Sequence, residues 1–182
     1  MLTTTNLAAR LAETIRIVPD FPKPGISFKD ITPVFFDPQL VRACASALAD
    51  PFRSAGITKV IGIESRGFLL GPLVAQELDC GFVLIRKKGK LPGQTHEVSY
   101  DLEYGSATIE AHHDALHPGD RVLIHDDLLA TGGTAEAAAR LCTQNEATVA
   151  GFLFLVELEG LLGRQRLEPL GAALLSLISY RD

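Results

Sequence analysis

The residues best placed to do chemistry lie between Val122 and Thr134, where the chain reads VLIHDDLLATGGT. The apolar run VLIH delivers Asp126 and Asp127 side by side to the end of an extended segment. Neighbouring side chains on a strand point to opposite faces, so the two acids need not reach a ligand in the same way. Ala130, Thr131, Gly132, Gly133 and Thr134 then open a helix. Glycines let backbone N–H groups turn inward around an anion, and a helix N-terminus adds a favourable field. Thr131 and Thr134 add hydroxyl donors for phosphate oxygens. Two carboxylates just upstream repel a phosphate but suit ribose hydroxyls, or the water shell of a metal ion. The alternative is a Gly-Gly turn behind a surface acid pair. The order of apolar strand, double acid and Thr/Gly loop favours a sugar-phosphate site.

Glu64, Ser65 and Arg66 follow the run KVIGI. A turn of backbone N–H groups plus a guanidinium suits a second phosphate, because arginine presents a planar, two-pronged donor. The competing reading makes Ser65 the N-cap of the next helix. Residues 86–105, RKKGKLPGQTHEVSYDLEYG, carry Arg86, Lys87, Lys88 and Lys90, followed by glycines. Either this run is a solvated hairpin, or it is a lid that closes over pyrophosphate, excludes water and reopens.

These segments need elements to hold them. Leu7, Leu11 and Ile15 recur at helical spacing, with Asn6 or Thr5 as cap. FPKPGISFKDITPVFFDP has too much proline and glycine for a long helix. Asp37-Pro38 starts a helix whose stripe is Leu40, Val41, Cys44, Leu48 and Phe52, ending at Gly56. Short apolar runs then alternate with helical patterns: strands at 59–63, 81–86, 106–112, 120–126, 148–157 and 172–180, helices at 67–78, 134–142 and about 161–167. Runs apolar on consecutive residues predict a mainly parallel sheet covered on both faces, with ligands at the strand carboxyl ends.

The chain has 182 residues, enough for one self-sufficient core, with 47% hydrophobic and 21% charged residues, as in an ordinary globular domain. A net charge of −5 argues against a nucleic-acid-coating protein. Cys44, Cys80 and Cys142 show neither a CxxC pair nor zinc spacing, and read as reduced core residues of a cytoplasmic protein. No signal peptide or membrane-length apolar run is expected.

VLIHDDLLATGGTA resembles the phosphoribosyl-diphosphate signature of the type I phosphoribosyltransferases, and the spelling is similar to their adenine-specific members. His125 stands where an aliphatic residue is usual and reads as an ordinary strand residue. ESRG resembles the pyrophosphate loop, RKKGKLPG and SYDLEYG the flexible lid, and FPKPGISFKDITP the adenine-binding hood. The match runs in order from about Phe21 to the C-terminal SLISY. It implies one α/β phosphoribosyltransferase domain over 1–182, with helices flanking a mainly parallel sheet, a hood at about 1–36 and a lid at about 86–105. It also implies transfer of 5-phosphoribosyl from phosphoribosyl diphosphate to N9 of adenine, giving AMP and pyrophosphate.

On that resemblance, Asp126, Asp127 and Ala130 to Thr134 hold the ribose 5-phosphate. Glu64, Ser65, Arg66, Arg86, Lys87 and Lys90 hold pyrophosphate. Phe28 stacks on adenine, with the backbone of Ser27 and Lys29 at its amino edge; many members have a β-branched residue and an arginine in those two places. Phe28 could otherwise be a core aromatic. Glu103 sits near the purine imidazole nitrogens, and with Arg66 and Lys90 forms the catalytic set. Mg²⁺ is carried by substrate and water rather than by a protein cage. The family implies a homodimer, with Arg86 or Lys87 reaching a neighbouring site. Competing functions are a transferase for another purine or for orotate, and a non-catalytic sensor of phosphoribosyl diphosphate.

Overall fold

The computed structural model describes residues 4–101 and 105–181. Helix α1 (Thr4–Thr14) buries Leu7 and Leu11, and Ile15 just beyond it, as the four-residue spacing requires. It begins before the expected cap, so Thr5 and Asn6 lie inside its first turn. Strands β1 (Arg16–Val18) and β2 (Phe28–Asp30) pair antiparallel as a separate two-stranded sheet. In α2 (Pro38–Ala49), Asp37 Oδ1 caps the first turn by accepting from Gln39 N at 2.8 Å and Leu40 N at 3.2 Å. Arg10 of α1 pairs with the same carboxylate. The helix stops at Ala49 rather than running on to Phe52; Pro51 lies in a 3₁₀ turn over Asp50–Phe52, because proline cannot continue the α-helical bonding.

The main sheet has seven strands: β3 (Lys59–Ile63), β4 (Gly81–Lys87), β5 (Thr95–Asp101), β6 (Ser106–His112), β7 (Arg121–Leu129), β8 (Thr148–Leu158) and β9 (Ala173–Tyr180). Their order is β5-β6-β4-β3-β7-β8-β9. The five strands β4, β3, β7, β8 and β9 run parallel, and β5 and β6 close one edge antiparallel. Strand β5 occupies part of the polar run at 86–105 and pairs with β6 as a hairpin.

Alternation along β7 divides the core. Leu123 joins α1, α2 and α3 (Gly67–Glu77) on one face, in a cluster with Leu40, Leu48, Leu70 and Val74. Val122 and Ile124 join α4 (Gly133–Gln144) on the other, with Leu141, Phe152 and Phe154. The sheet is therefore covered on both faces, as its consecutive apolar residues demand. No helix among the described residues is long and apolar enough to cross a membrane.

Candidate active site

The two acids have different neighbours. Asp126 lines the turn into α4, with its Oδ1 also close to Gly67 of α3, whereas Asp127 lies against Arg66. Beyond them, Ala130 to Thr134 turn into α4 around a cavity of about 80 Å³ lined by Asp126, Leu128, Leu129 and Phe154 as well as the loop itself. Gly132 caps the helix at φ +78°; a Cβ there would lie 2.9 Å from the Gly163 carbonyl oxygen. At Gly163 a Cβ would lie 2.2 Å from the Ala130 carbonyl oxygen. Two glycines thus let the loop rest directly on α5 (Gly163–Leu167). Arg166 of that helix donates to Glu136 of α4 at 2.7 Å. The first N–H groups of α4 have no partner within the helix and present a ready anion site. Larger clefts of 560 and 1050 Å³ run along β9. They lack a strand-end glycine turn, so chemistry rather than size places the site.

Arg66 Nε lies 3.0 Å from Asp127 Oδ2 as an ion pair without hydrogen-bond alignment. The approach depends on Gly67, where a Cβ would sit 2.7 Å from the His125 carbonyl oxygen. The same guanidinium lies 5.5 Å from the Phe28 ring centre. With the Arg66 side chain 41% exposed, its pairing contributes on the order of 1 kcal/mol, so an incoming anion can recruit it. Burial, then the charge of Asp127, push the Asp126 carboxyl well above the usual carboxylate range. Burial raises Asp127 too, with Arg66 acting against it. The N–H of Asp127 donates to Asp126 Oδ1 at 2.9 Å. A buried and a half-buried acid, both with raised pKa values, at a strand end make this a candidate functional site.

The pyrophosphate-loop candidates meet the end of β4. Glu64 accepts from Arg86 Nη2 at 2.7 Å and from Lys87 N at 3.0 Å, and Arg86 Nη1 donates to the Lys90 carbonyl at 2.8 Å. Chiefly the Arg86 bond holds the Glu64 carboxyl below its ordinary value. Ser65 is exposed, and α3 begins with Arg66 at its cap position and no side-chain cap bond, so the N-cap reading of Ser65 is not what forms. The Glu64–Ser65 peptide bond is cis. Lys88 is neutralised by Glu97 at 2.7 Å. Lys87 and Lys90 are exposed and carry no ion pair among the described residues.

Phe28 is half-buried, with Phe21 edge-on at 5.1 Å. Ser27 is exposed and accepts from Lys29 Nζ at 2.9 Å. Lys29 is buried, its ammonium 4.7 Å from the Tyr180 ring centre. Glu103 lies outside the described residues. His96 is exposed. His125 is fully buried in β7, its Nδ1 3.0 Å from the Leu153 carbonyl oxygen, so the neutral tautomer donates there. Burial holds its pKa down at about 4.

Three residues that sequence reasoning passed over are Glu110, Tyr100 and Gly163. Glu110 is buried and accepts from the N–H groups of Lys90 at 2.9 Å and Leu91 at 2.8 Å. Lys90 is thereby held through both its N–H and its carbonyl. The one available signal was a charged residue inside the apolar strand SATIEAH. Tyr100 meets Thr134 at 3.0 Å, hydroxyl to hydroxyl. Nothing in sequence pointed to Gly163.

Residues 34–166 match the model of the phosphoribosyl transferase domain family. An adenine phosphoribosyltransferase from a Synechococcus strain is 54% identical over 93% of this chain and 98% of that relative. The crystal structure of adenine phosphoribosyltransferase from Rhodothermus marinus superposes with a TM-score of 0.91 at 56% identity, covering 97% of this chain and 99% of that one. The Saccharomyces cerevisiae enzyme, solved with adenine and an imino-altritol bisphosphate, gives a TM-score of 0.88 at 40% identity over 95% and 99% of the two chains. The chain belongs to the phosphoribosyltransferase family, and within it to the adenine phosphoribosyltransferases.

Proposed function

We infer that the chain transfers the 5-phosphoribosyl group of phosphoribosyl diphosphate to N9 of adenine, releasing AMP and pyrophosphate. The observation that carries this reading is the double contact of Arg66 with the Phe28 ring and the Asp127 carboxylate. An aromatic face, a cation and an acid pair follow one another beside the Thr/Gly loop. Base, leaving group, ribose diol and 5′-phosphate need that order of partners.

In this assignment Ala130, Thr131, Gly132, Gly133 and Thr134 hold the 5′-phosphate, and Asp126 and Asp127 orient the ribose hydroxyls. Phe28 stacks on adenine between the backbone groups of Ser27 and Lys29, and Glu103 positions the purine. The loop Glu64–Ser65–Arg66, with Arg86, Lys87 and Lys90, receives pyrophosphate. Charge builds on that leaving group in an oxocarbenium-like transition state, where Arg66 and Lys90 stabilise it. The described residues contain no group of three or more His, Cys, Asp or Glu that could hold a metal ion, while the strand-end acids offer oxygens to a hard cation's water shell. That donor set fits Mg²⁺ held mainly by substrate oxygens and water, supplying further neutralisation of the leaving charge. The same reading makes residues 1–182 one domain with a hood at 1–36 and a lid at 86–105, and the protein a cytoplasmic homodimer. Free Cys44, Cys80 and Cys142 accord with a reducing compartment.

The test is product formation from phosphoribosyl diphosphate with adenine, hypoxanthine, guanine or orotate. AMP is expected, with adenine preferred by about 100-fold or more in kcat/KM. Preference for hypoxanthine overturns the base assignment. Donor binding without any nucleotide product makes the protein a sensor.

A further inference from the structure

Tyr100 stands on β5, in the hairpin that forms part of the cation-bearing run, and its hydroxyl lies 3.0 Å from Thr134 Oγ1 in the turn into α4. Its ring also approaches the loop: a Cβ on Gly133 would sit 3.7 Å from Tyr100 Cδ2. The hairpin does not depend on this hydroxyl for its place. Val98 is buried in the core, Ser99 pairs with Thr108 at 2.8 Å, and Arg140 of α4 donates to the Ser99 carbonyl at 3.3 Å. The hydroxyl contact is therefore an addition to a strand already docked.

We propose that Tyr100 is a positioning residue that aims the Thr134 hydroxyl at the donor's 5′-phosphate and so ties the hairpin to occupancy of the phosphate loop. The proposal rests on the reading of Ala130 to Thr134 as that loop. The direction of the bond follows from donor counting. Thr134 has one hydroxyl proton, and phosphate oxygens only accept. When Thr134 donates to phosphate, its oxygen is left to accept, and Tyr100 supplies the proton. The chain Tyr100 O–H to Thr134 O–H to phosphate is then cooperative, each bond polarising the next.

The probe is ribose 5-phosphate, which carries the phosphate but neither pyrophosphate nor base. Its affinity is measured by calorimetry on Tyr100→Phe, Thr134→Val and the double variant, alongside steady-state kinetics. Tyr100→Phe keeps the ring and is expected to melt with the parent. It should weaken ribose 5-phosphate binding about three- to tenfold and raise KM for phosphoribosyl diphosphate equally, with KM for adenine little changed. In the double variant Tyr100→Phe should add nothing to Thr134→Val, and Thr134→Ser should keep the dependence on Tyr100. Unchanged ribose 5-phosphate affinity in Tyr100→Phe, or additive losses in the double variant, overturns the proposal while the loop assignment stands. A Thr134→Val variant that binds ribose 5-phosphate normally overturns the loop assignment itself.

Discussion

The turn Ala130–Thr134 and the turn Arg86–Leu91 both supply what an anion needs, but they are assembled from different materials. The first is backbone: helix N–H groups, a left-handed Gly132, and carbonyls of Ala130 and Gly163 so near one another's chains that neither glycine has room for a methyl group. The second is side chains held by side chains: Glu64 grips Arg86, Arg86 grips the Lys90 carbonyl, and Glu110 takes the N–H groups of Lys90 and Leu91. A backbone cradle is preorganised and intolerant of added atoms. A braced cation can be retuned by changing the brace. On the proposed assignment, tight geometry falls to the part of the donor that stays bound, and adjustable charge to the part that leaves.

The largest expected effect tests the intolerance. Gly163→Ala must displace the Ala130 carbonyl or α5. It should cost about 1–3 kcal/mol of stability and, through a loop displaced by a fraction of an ångström or more, roughly 100-fold in kcat/KM. Normal kinetics with phosphoribosyl diphosphate would break the contrast at its strongest point.

Asp126→Asn comes next, with opposite signs for activity and stability. Turnover should fall by about 100-fold. The Asp126 pKa is raised in the folded protein, from an ordinary 3.8. Ionising it therefore costs stability, a loss that begins above pH 4 and grows as pH rises through the folded value. The variant should melt higher than the parent at pH 7.5, and the advantage should vanish as pH falls toward 4. An advantage that persists there, or none at neutral pH, removes the buried charge as the cause.

Glu110→Gln and Glu110→Leu sharpen the other half. Gln retains an oxygen for the Lys90 and Leu91 N–H groups and should raise KM for phosphoribosyl diphosphate only about threefold, Leu about tenfold or more. Ribose 5-phosphate affinity should be unchanged in both, because only the cation turn is disturbed. A parallel loss of ribose 5-phosphate binding would show that the two ends are not separable.

The smallest effect on turnover is expected at His125, buried within β7. His125→Leu should alter kcat/KM by no more than about twofold. Its folded pKa is depressed from 6.5 to about 4, so the unfolded chain binds the proton first. Stability is complete above pH 6.5 and declines as pH falls toward 4, by up to roughly 3 kcal/mol. Urea unfolding at pH 7, 6 and 5 should show that slope in the parent and its absence in the variant.

The elements were legible wherever burial leaves a periodic mark, as in β7, β8 and α2. Strand β5 was not, because Val98 is its only fully buried residue and neighbouring positions are polar and outward. The three-residue strands β1 and β2 are too short to show a period. The apolar stripe of α2 continues to Phe52 beyond the helix end, since a 3₁₀ turn also buries an apolar residue there. In the site, the Thr/Gly loop was readable because its demand falls on residue type itself. Glu110 was hidden inside an apolar run; only the register that sets Arg86 opposite Glu110 shows what its carboxylate holds.

By itself the sequence determined a sheet covered on both faces, a Thr/Gly turn into a helix after the fourth apolar run and an acid pair just before it. Those follow from local rules: alternation, glycine permissiveness and helix-end polarity. Only the tertiary structure decided that Asp127 faces Arg66, that Arg66 lies over Phe28, that Gly163 makes room for Ala130, and that Tyr100 reaches Thr134. Each of those contacts joins residues distant along the chain. Parallel strand order and packing set their approach, and no local pattern of residue types encodes it.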